Sequence, residues 1–385
     1  MDILVNIQSL QPPITGIGRY TTELLKCLNV SHNIQAFDAA KRYSQDQLEK
    51  KLNPSGELPA LNKKQKNYAG LIRLASRLPY AYKARQVLQQ RVRRPLFKAC
   101  SKYIYWEPSY ILEPFDGLSV ATIHDLSYIR YPQHHRAASL KWLESNIESS
   151  IQQASAIVTL SEFSKNEILK NFPVDESEIN IVSPAVGSEF KQDASHEEVQ
   201  QIRKKYQLPK SYILSVGTLE PRKNIKTLLE AYTSLPKKLK ASAPLVLVGA
   251  KGWGDVDKDV QLMLDKKEII VLGYVAQNDI AGLYKAADLF VYVSLYEGYG
   301  MPIAEAMASK IAIITSENSA MSEVGRNTTG VVNPLDTEQI AAMMAYYLQE
   351  KAARREMIAK YEPIVASWTW QKSATQLSRV FQKIT

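Results

Sequence analysis

Short apolar runs alternate with helix-patterned stretches in two series along this chain, and a polar interval separates the series. ILVNI (3–7) reads as a buried strand, followed by a helix over 17–28 with Tyr20, Leu24, Leu25 and Leu28 turned inward. SVATIHD (119–125), AIVTLS (156–161) and INIVSP (179–184) are further strands. Helices over 138–153 and 162–171 lie between them, the second opened by Ser161 as N-cap. From 185 to 210 the chain turns polar, GSEFKQDASHEE shows no core pattern, and the stretch reads as a crossover. The alternation then restarts, with strands at 212–218, 244–250, 268–274, 289–294, 311–316 and 330–334 and helices at 223–234, 278–287, 302–309 and 336–349. Such alternation builds parallel sheets covered by helices on both faces.

Two series of similar size mean two Rossmann-like domains facing a cleft. The expected division is 1–190, 191–365 and a last helix within 366–385 that packs back on the first domain. In such sheets ligands sit beyond the carboxyl ends of the strands, so functional residues belong just after them. The 385 residues suffice for two domains. Only Cys27 and Cys100 are present, which excludes a disulfide framework and favours a reducing compartment. No apolar run is long enough to span a bilayer. The acidic Asp2 leading straight into a strand gives no sign of a signal peptide. The expected location is therefore the cytoplasm.

The densest chemistry follows the strand at 289–294, in SLYEGYGMPIAEAMASK (294–310). Gly298 and Gly300 let backbone approach closely, Pro302 suits a first helical turn, and Glu297 and Glu305 bracket the helix start. Two carboxylates so placed suit hydroxyl-rich ligands, because each accepts paired hydrogen bonds from vicinal hydroxyls. After the strand at 212–218 come Arg222 and Lys223 at a helix start, an arrangement suited to a phosphate or diphosphate. Gly16 and Gly18 lie in the first strand–turn–helix unit, where backbone amides can cradle charge. The third glycine and the acidic ribose partner of a dinucleotide fingerprint are missing, so NAD is not expected. His124 and Asp125 end SVATIHD, where the imidazole can orient a sugar or polarise a hydroxyl and Asp125 can bind substrate. Asp255 and Asp257 match a metal-holding DxD pattern, but acids are favoured in a first helical turn by the dipole alone, and no required metal is expected.

These strand-end motifs, in this order and spacing, resemble the retaining glycosyltransferases of family 4, which have the GT-B fold. EGYGMPIAEAMA resembles that family's E-x7-E motif, and VGTLEPRKNIKTLLEAY its diphosphate-binding segment. TIHDLSYIRYP and AIVTLSEFSKNEI resemble the subgroup of bacterial O-antigen and exopolysaccharide mannosyltransferases, and SWTWQKSATQL resembles the family's carboxy-terminal segment that crosses back. The resemblance implies that Glu305 binds the ribose hydroxyls and that Glu297 holds the donor sugar with the amides of Gly298, Tyr299 and Gly300, beside Met301. It further implies that Arg222 and Lys223 stabilise the leaving diphosphate, that Gly16 and Gly18 bring amides to the same phosphates, and that His124 sits beside the sugar, with Asp125 on the acceptor side. Ser161 and Ser164 fall near the cleft without an assigned role. The implied reaction moves a hexose, mannose from GDP-mannose in α linkage, to a lipid-linked glycan, with no cofactor beyond the sugar-nucleotide substrate. UDP-glucose or another UDP-hexose is the alternative donor.

The formal net charge is +9, and its most lopsided stretch is 62–106, with 12 Lys/Arg and no Asp or Glu. Arg73, Arg77, Arg85, Arg91, Arg93, Arg94 and Lys98 interleave with Leu, Tyr and Phe at roughly helical spacing. A basic amphipathic helix of this kind suits an anionic membrane surface, the inner face of the cytoplasmic membrane for a lipid-linked acceptor. A solvated basic face is the competing reading. A nucleic-acid or glycan binder without catalysis would also be basic, but no recognition motif appears and Glu297 and Glu305 would go unexplained.

Overall fold

The computed structural model describes residues 1–385 except 12–13, 39–40, 54–90, 253–255 and 327. The first sheet holds β1 (Asp2–Asn6), β2 (Asn33–Asp38), β3 (Lys41–Tyr43), β4 (Ile104–Glu107), β5 (Ser119–Thr122), β6 (Ala156–Thr159) and β7 (Ile179–Ile181), in the order β3-β2-β1-β4-β5-β6-β7. Every pairing is parallel except that of β2 with β3. The second sheet holds β8 (Ile213–Val216), β9 (Leu245–Val248), β10 (Ile269–Gly273), β11 (Leu289–Tyr292), β12 (Ala312–Ser316) and β13 (Gly330–Val332). Its order is β10-β9-β8-β11-β12-β13 and all its pairings are parallel. Both sheets are therefore the doubly wound kind, and the strand order reverses between β1 and β4 and between β8 and β11. Crevices open at those points, beyond the carboxyl ends of the strands.

The central strands are buried end to end, as sheets covered on both faces require. One continuous apolar core runs from Ile3 and Tyr20 through Phe190 and Tyr284 to Phe381, so the lobes share packed side chains. The last helix, Trp370–Lys383, packs on helix Gly16–Leu28, as expected. Trp370 meets the Tyr20 ring at 6.1 Å, Phe381 meets Trp106 at 6.3 Å, and Ser373 donates to the Ser183 carbonyl at 2.7 Å.

Three differences from the sequence expectation have physical causes. Helix His196–Lys205 stands in the stretch read as a crossover. Its signal is local: Ser195 and Glu198 form a reciprocal capping box, and the polar sequence hides a single seam in which Ile202 packs against Gly282. Strands β2 and β4 were also passed over, being short runs beside polar and basic sequence, although β4 is buried along its whole length. Finally, Arg93 does not belong to an exposed basic face. Residues 91–99 are helical with positions 93 and 96 inward, so Arg93 is buried, paired with Glu113 and 5.1 Å from the Phe37 ring. Arg91, Arg94 and Lys98 remain exposed, while Arg73, Arg77 and Arg85 lie outside the described residues. Among the described residues, no helix is long and apolar enough to cross a membrane.

Candidate active site

The loop after β8 and the loop after β11 are knitted together at the reversal point of the second sheet. The Arg222 carbonyl accepts the Leu295 N–H at 2.9 Å, with the Ser294 hydroxyl oxygen 3.0 Å away. Asn224 takes a left-handed conformation (φ 56°) and its amide bridges the carbonyls of Val293 and Pro334. This scaffold brings Arg222, Lys223 and Glu297 into one ionic cluster. Lys223 Nζ lies 2.6 Å from Glu297 Oε1 and Arg222 Nη1 lies 3.1 Å from Oε2. The Tyr292 and Ser294 hydroxyls donate to Oε1 at 2.8 and 2.7 Å. Arg222 also reaches the Tyr296 carbonyl at 2.6 Å and Glu220 at 2.8 Å. Burial alone would push the Glu297 carboxyl up, but Arg222 and Lys223, with hydrogen bonds from Lys223 and Ser294, reverse this and hold it at about 2. Burial works against the charged Arg222 guanidinium, yet Glu297, Asp125 and Glu220 raise it well above its ordinary value. Arg222 and Glu297 are therefore both ionised at neutral pH. Oε1 is crowded with donors, while Oε2 keeps acceptor capacity beside Arg222.

Glu305 sits in helix Met301–Ala308, which starts from Gly300 at φ +95°. It is buried, and its carboxylate is gripped from both lobes: Arg19 pairs with Oε1, and the Tyr284 hydroxyl donates to Oε2 at 3.1 Å. Burial pushes this carboxyl up, and Arg19 and Tyr284 offset only part of the rise. Met301 opens the helix half-buried, and the buried Tyr299 donates its hydroxyl to the Pro184 carbonyl at 3.1 Å.

The first lobe faces this site with His124 and Asp125, directly after β5. Burial lowers the His124 imidazole, which is therefore neutral. Its Nε2 lies 2.7 Å from the Pro108 carbonyl, an acceptor only, so Nε2 carries the hydrogen and Nδ1 is left as an acceptor. Asp125 accepts the Ser127 N–H at 2.9 Å, hydrogen-bonds the Tyr110 hydroxyl and faces Arg222 across the cleft. Tyr110 holds a left-handed φ of 61°, unusual for an aromatic residue, with its ring 5.4 Å from His124.

The lobes meet where the sequence reading had placed ligand contacts. A Cβ on Gly298 would lie 2.0 Å from the His124 carbonyl oxygen, so this glycine is what allows the lobes to approach. The Gly298 carbonyl accepts the Ser161 and Ser164 hydroxyls at 2.7 and 3.0 Å, which gives those serines their role. Glu323 accepts the N–H groups of Glu162 and Phe163, both at 3.1 Å, at the start of helix Glu162–Asn171. The Leu126 N–H donates to the Tyr296 hydroxyl at 3.2 Å. Gly18 packs tightly, a Cβ there falling 2.3 Å from the Ser9 carbonyl, whereas Gly16 faces open space at the helix start. The structure thus gathers Arg222, Lys223, Glu297, Gly298, His124 and Asp125 at one closed seam, with Glu305 anchored across it by Arg19.

Sequence reasoning missed Arg19, Tyr284, Tyr292, Ser319 and Glu323. Ser319, at φ 58°, takes the Glu297 N–H on its hydroxyl at 3.1 Å. Position could have flagged Tyr292, the last residue of β11, and Ser319, which follows β12; the others act across the fold and left no local signal. Among the described residues no group of three His, Cys, Asp or Glu side chains is placed to hold a metal ion. Asp255 of the DxD pair lies outside the described residues.

Comparison with known proteins sets this geometry in context. The family described as glycosyl transferases group 1 matches residues 198–362. The chain is 32% identical over 389 residues to O-antigen chain mannosyltransferase B of Escherichia coli, covering 99% of this chain and 100% of that protein. It is 26% identical over 340 residues to the O-antigen chain mannosyltransferase RfbU of Salmonella typhimurium, covering 87% of each. Among solved structures, Anabaena Alr3699/HepE in complex with UDP and glucose superposes with a TM-score of 0.71 at 15% identity over 99% of both chains, a likeness of fold.

Proposed function

The chain belongs to the group 1 glycosyltransferases, and from that premise we propose that it is a retaining, family 4 α-mannosyltransferase using GDP-mannose. Its acceptor is a lipid-linked glycan; synthesis of a bacterial surface polysaccharide is the setting that the relatives named as O-antigen chain mannosyltransferases suggest. The observation that carries this reading is the Arg222–Lys223–Glu297 cluster, set at the strand-order reversal of one lobe and closed against His124 and Asp125 of the other.

Breaking the C1–O bond of a sugar nucleotide builds positive charge on the ring and negative charge on the diphosphate. Preorganised donors aimed at the leaving group supply the largest stabilisation. Arg222 and Lys223 fill that role, with the open start of helix Gly16–Leu28 at Gly16 contributing an amide from the first lobe. Glu297 keeps the two cations in register and accepts a sugar hydroxyl at Oε2, with the backbone of Gly298, Tyr299, Gly300 and Met301 bordering the sugar. Glu305 accepts the ribose hydroxyls. His124 presents its Nδ1 acceptor to the sugar, and Asp125 with Tyr110 takes the acceptor side. Retention then follows a front-face course: the C1–O pair leaves with the diphosphate, the acceptor oxygen bonds C1 on the same face, and its proton passes to the departing phosphate oxygen. The two cations do the work a divalent ion does elsewhere, so the reading needs no metal and no resident cofactor.

The basic stretch 62–106 docks the enzyme on the anionic inner face of the cytoplasmic membrane, where a lipid-linked acceptor resides. Exposed Arg91, Arg94 and Lys98 support this reading within the described part. Pelleting with anionic vesicles tests the docking, and the absence of salt-sensitive binding would contradict it. A panel of sugar nucleotides screened for thermal stabilisation tests the donor, because a bound donor raises stability by mass action. GDP-mannose should give the largest shift; a larger shift with UDP-glucose would replace the donor, and no shift with any would remove the proposed reaction.

A further inference from the structure

Glu305 is a buried carboxylate whose counter-charge comes from the other lobe. Arg19 follows Gly18 in helix Gly16–Leu28, and its guanidinium pairs with Glu305 Oε1 through one nitrogen and with Glu189 at 3.2 Å through another. It lies 5.1 Å from the Phe190 ring, which itself stands 5.8 Å from the Tyr284 ring. Tyr284 holds the second Glu305 oxygen from its own lobe. Arg19 and Glu305 are 286 residues apart in sequence, and this contact exists only while the lobes are together. An ionised carboxylate this deeply buried is costly without a partner, and each of its oxygens retains a lone pair once Arg19 and Tyr284 are in place.

We infer that Arg19 is a positioning residue for the donor's ribose: from across the cleft it holds and aims the Glu305 carboxyl group, so that the ribose diol meets a complete acceptor pair only in the closed enzyme. The inference rests on the proposed assignment of Glu305 to the ribose hydroxyls. Its consequence is that opening the cleft both withdraws Arg19 and weakens the grip on the nucleotide, which couples product release to lobe motion.

The test compares binding of GDP with that of 2′,3′-dideoxy-GDP by titration calorimetry, with UDP and its dideoxy counterpart run in parallel, in the wild type and in Arg19→Ala. In the wild type the diphosphate with a full ribose should bind about tenfold or more tighter than its dideoxy form. Arg19→Ala should weaken the full ribonucleotide by about tenfold. The same variant should leave the dideoxy form within about twofold, because that ligand makes no use of Glu305. Equal weakening of both ligands by Arg19→Ala would overturn the inference, since Arg19 would then act on the phosphates or on the fold at large. No preference for the ribose hydroxyls in the wild type would instead overturn the assignment of Glu305 itself. Should Arg19→Ala not fold, Arg19→Met, which keeps an unbranched stem against Phe190, carries the same comparison.

Discussion

Replacing Glu297 by Gln should move product affinity and turnover in opposite directions. The carboxylate neutralises the two cations proposed to receive the diphosphate, at 2.6 Å from Lys223 and 3.1 Å from Arg222. A diphosphate drawn to those cations comes within about 6 Å of the carboxylate, and like unit charges there repel by roughly 3 kcal/mol at an effective dielectric near 20. Glu297→Gln abolishes that repulsion. It also removes the anchor that orients Arg222 and Lys223, and hydrogen bonds to a charged partner contribute about 1.5–3 kcal/mol. The net expectation is binding of GDP, or UDP if that is the nucleotide, tightened by up to about tenfold. Turnover should fall by about 100-fold, because the sugar loses its acceptor and the cations their register. Since the Glu297 carboxyl is held at about 2, it is charged throughout neutral pH, and any change of the gain between about pH 6 and 8 should follow the terminal phosphate of the nucleotide, which titrates at about 6, rather than the carboxylate. Calorimetry for the diphosphate and initial rates for transfer read the two effects separately. Product affinity that falls along with turnover would refute the reasoning, for the carboxylate would then not compete with the diphosphate at all.

Three further outcomes are expected. A methyl group on Gly298 would stand 2.0 Å from the His124 carbonyl and 2.7 Å from Asp125 Cβ. Gly298→Ala should therefore fold but close badly, with turnover reduced about 100-fold and a larger radius of gyration by X-ray scattering; wild-type rates would contradict this. Burial pushes the Glu107 carboxyl up to about 7 from near 4.5, despite hydrogen bonds from Tyr105, Asn6 and the Ser109 N–H. The folded state then holds this proton more tightly than the unfolded chain, so stability falls as pH rises through that window, by about 3 kcal/mol at most. Glu107→Gln should flatten that part of the unfolding profile, and identical slopes for variant and wild type would dismiss the effect. Turnover should also survive a chelator such as EDTA, since Arg222 and Lys223 supply the charge; loss restored by added Mg²⁺ or Mn²⁺ would show that they do not suffice.

The legible part of the site was the part built from strand ends. Arg222, Lys223, Glu297 and Glu305 each follow a strand of a parallel sheet, where the chain must emerge into the crevice, so position alone marked them. What lay hidden was how they are held. The pairing of Arg19 with Glu305, the serine hydroxyls on the Gly298 carbonyl and the Glu323 cap on helix Glu162–Asn171 all join distant segments, and local sequence carries no trace of them. The lack of a Cβ on Gly298 also makes room for the opposite lobe, a close approach that no local pattern announces. Helix His196–Lys205 was missed for a different reason: its capping box was visible, but its buried seam is too narrow to stand out among charges. Arg93 shows the reverse error, a cation counted with its exposed neighbours although the helical period turns it inward toward Glu113.

The direct test of the central claim is the rate of mannosyl transfer from GDP-mannose to a lipid-linked glycan by wild type and by Arg222→Ala, with both shown to be folded. If the cationic pair carries the departing diphosphate, the variant should lose about 100-fold or more in turnover. Transfer by the variant at the wild-type rate would mean that the cluster beyond β8 and β11 is not where the sugar–phosphate bond is broken.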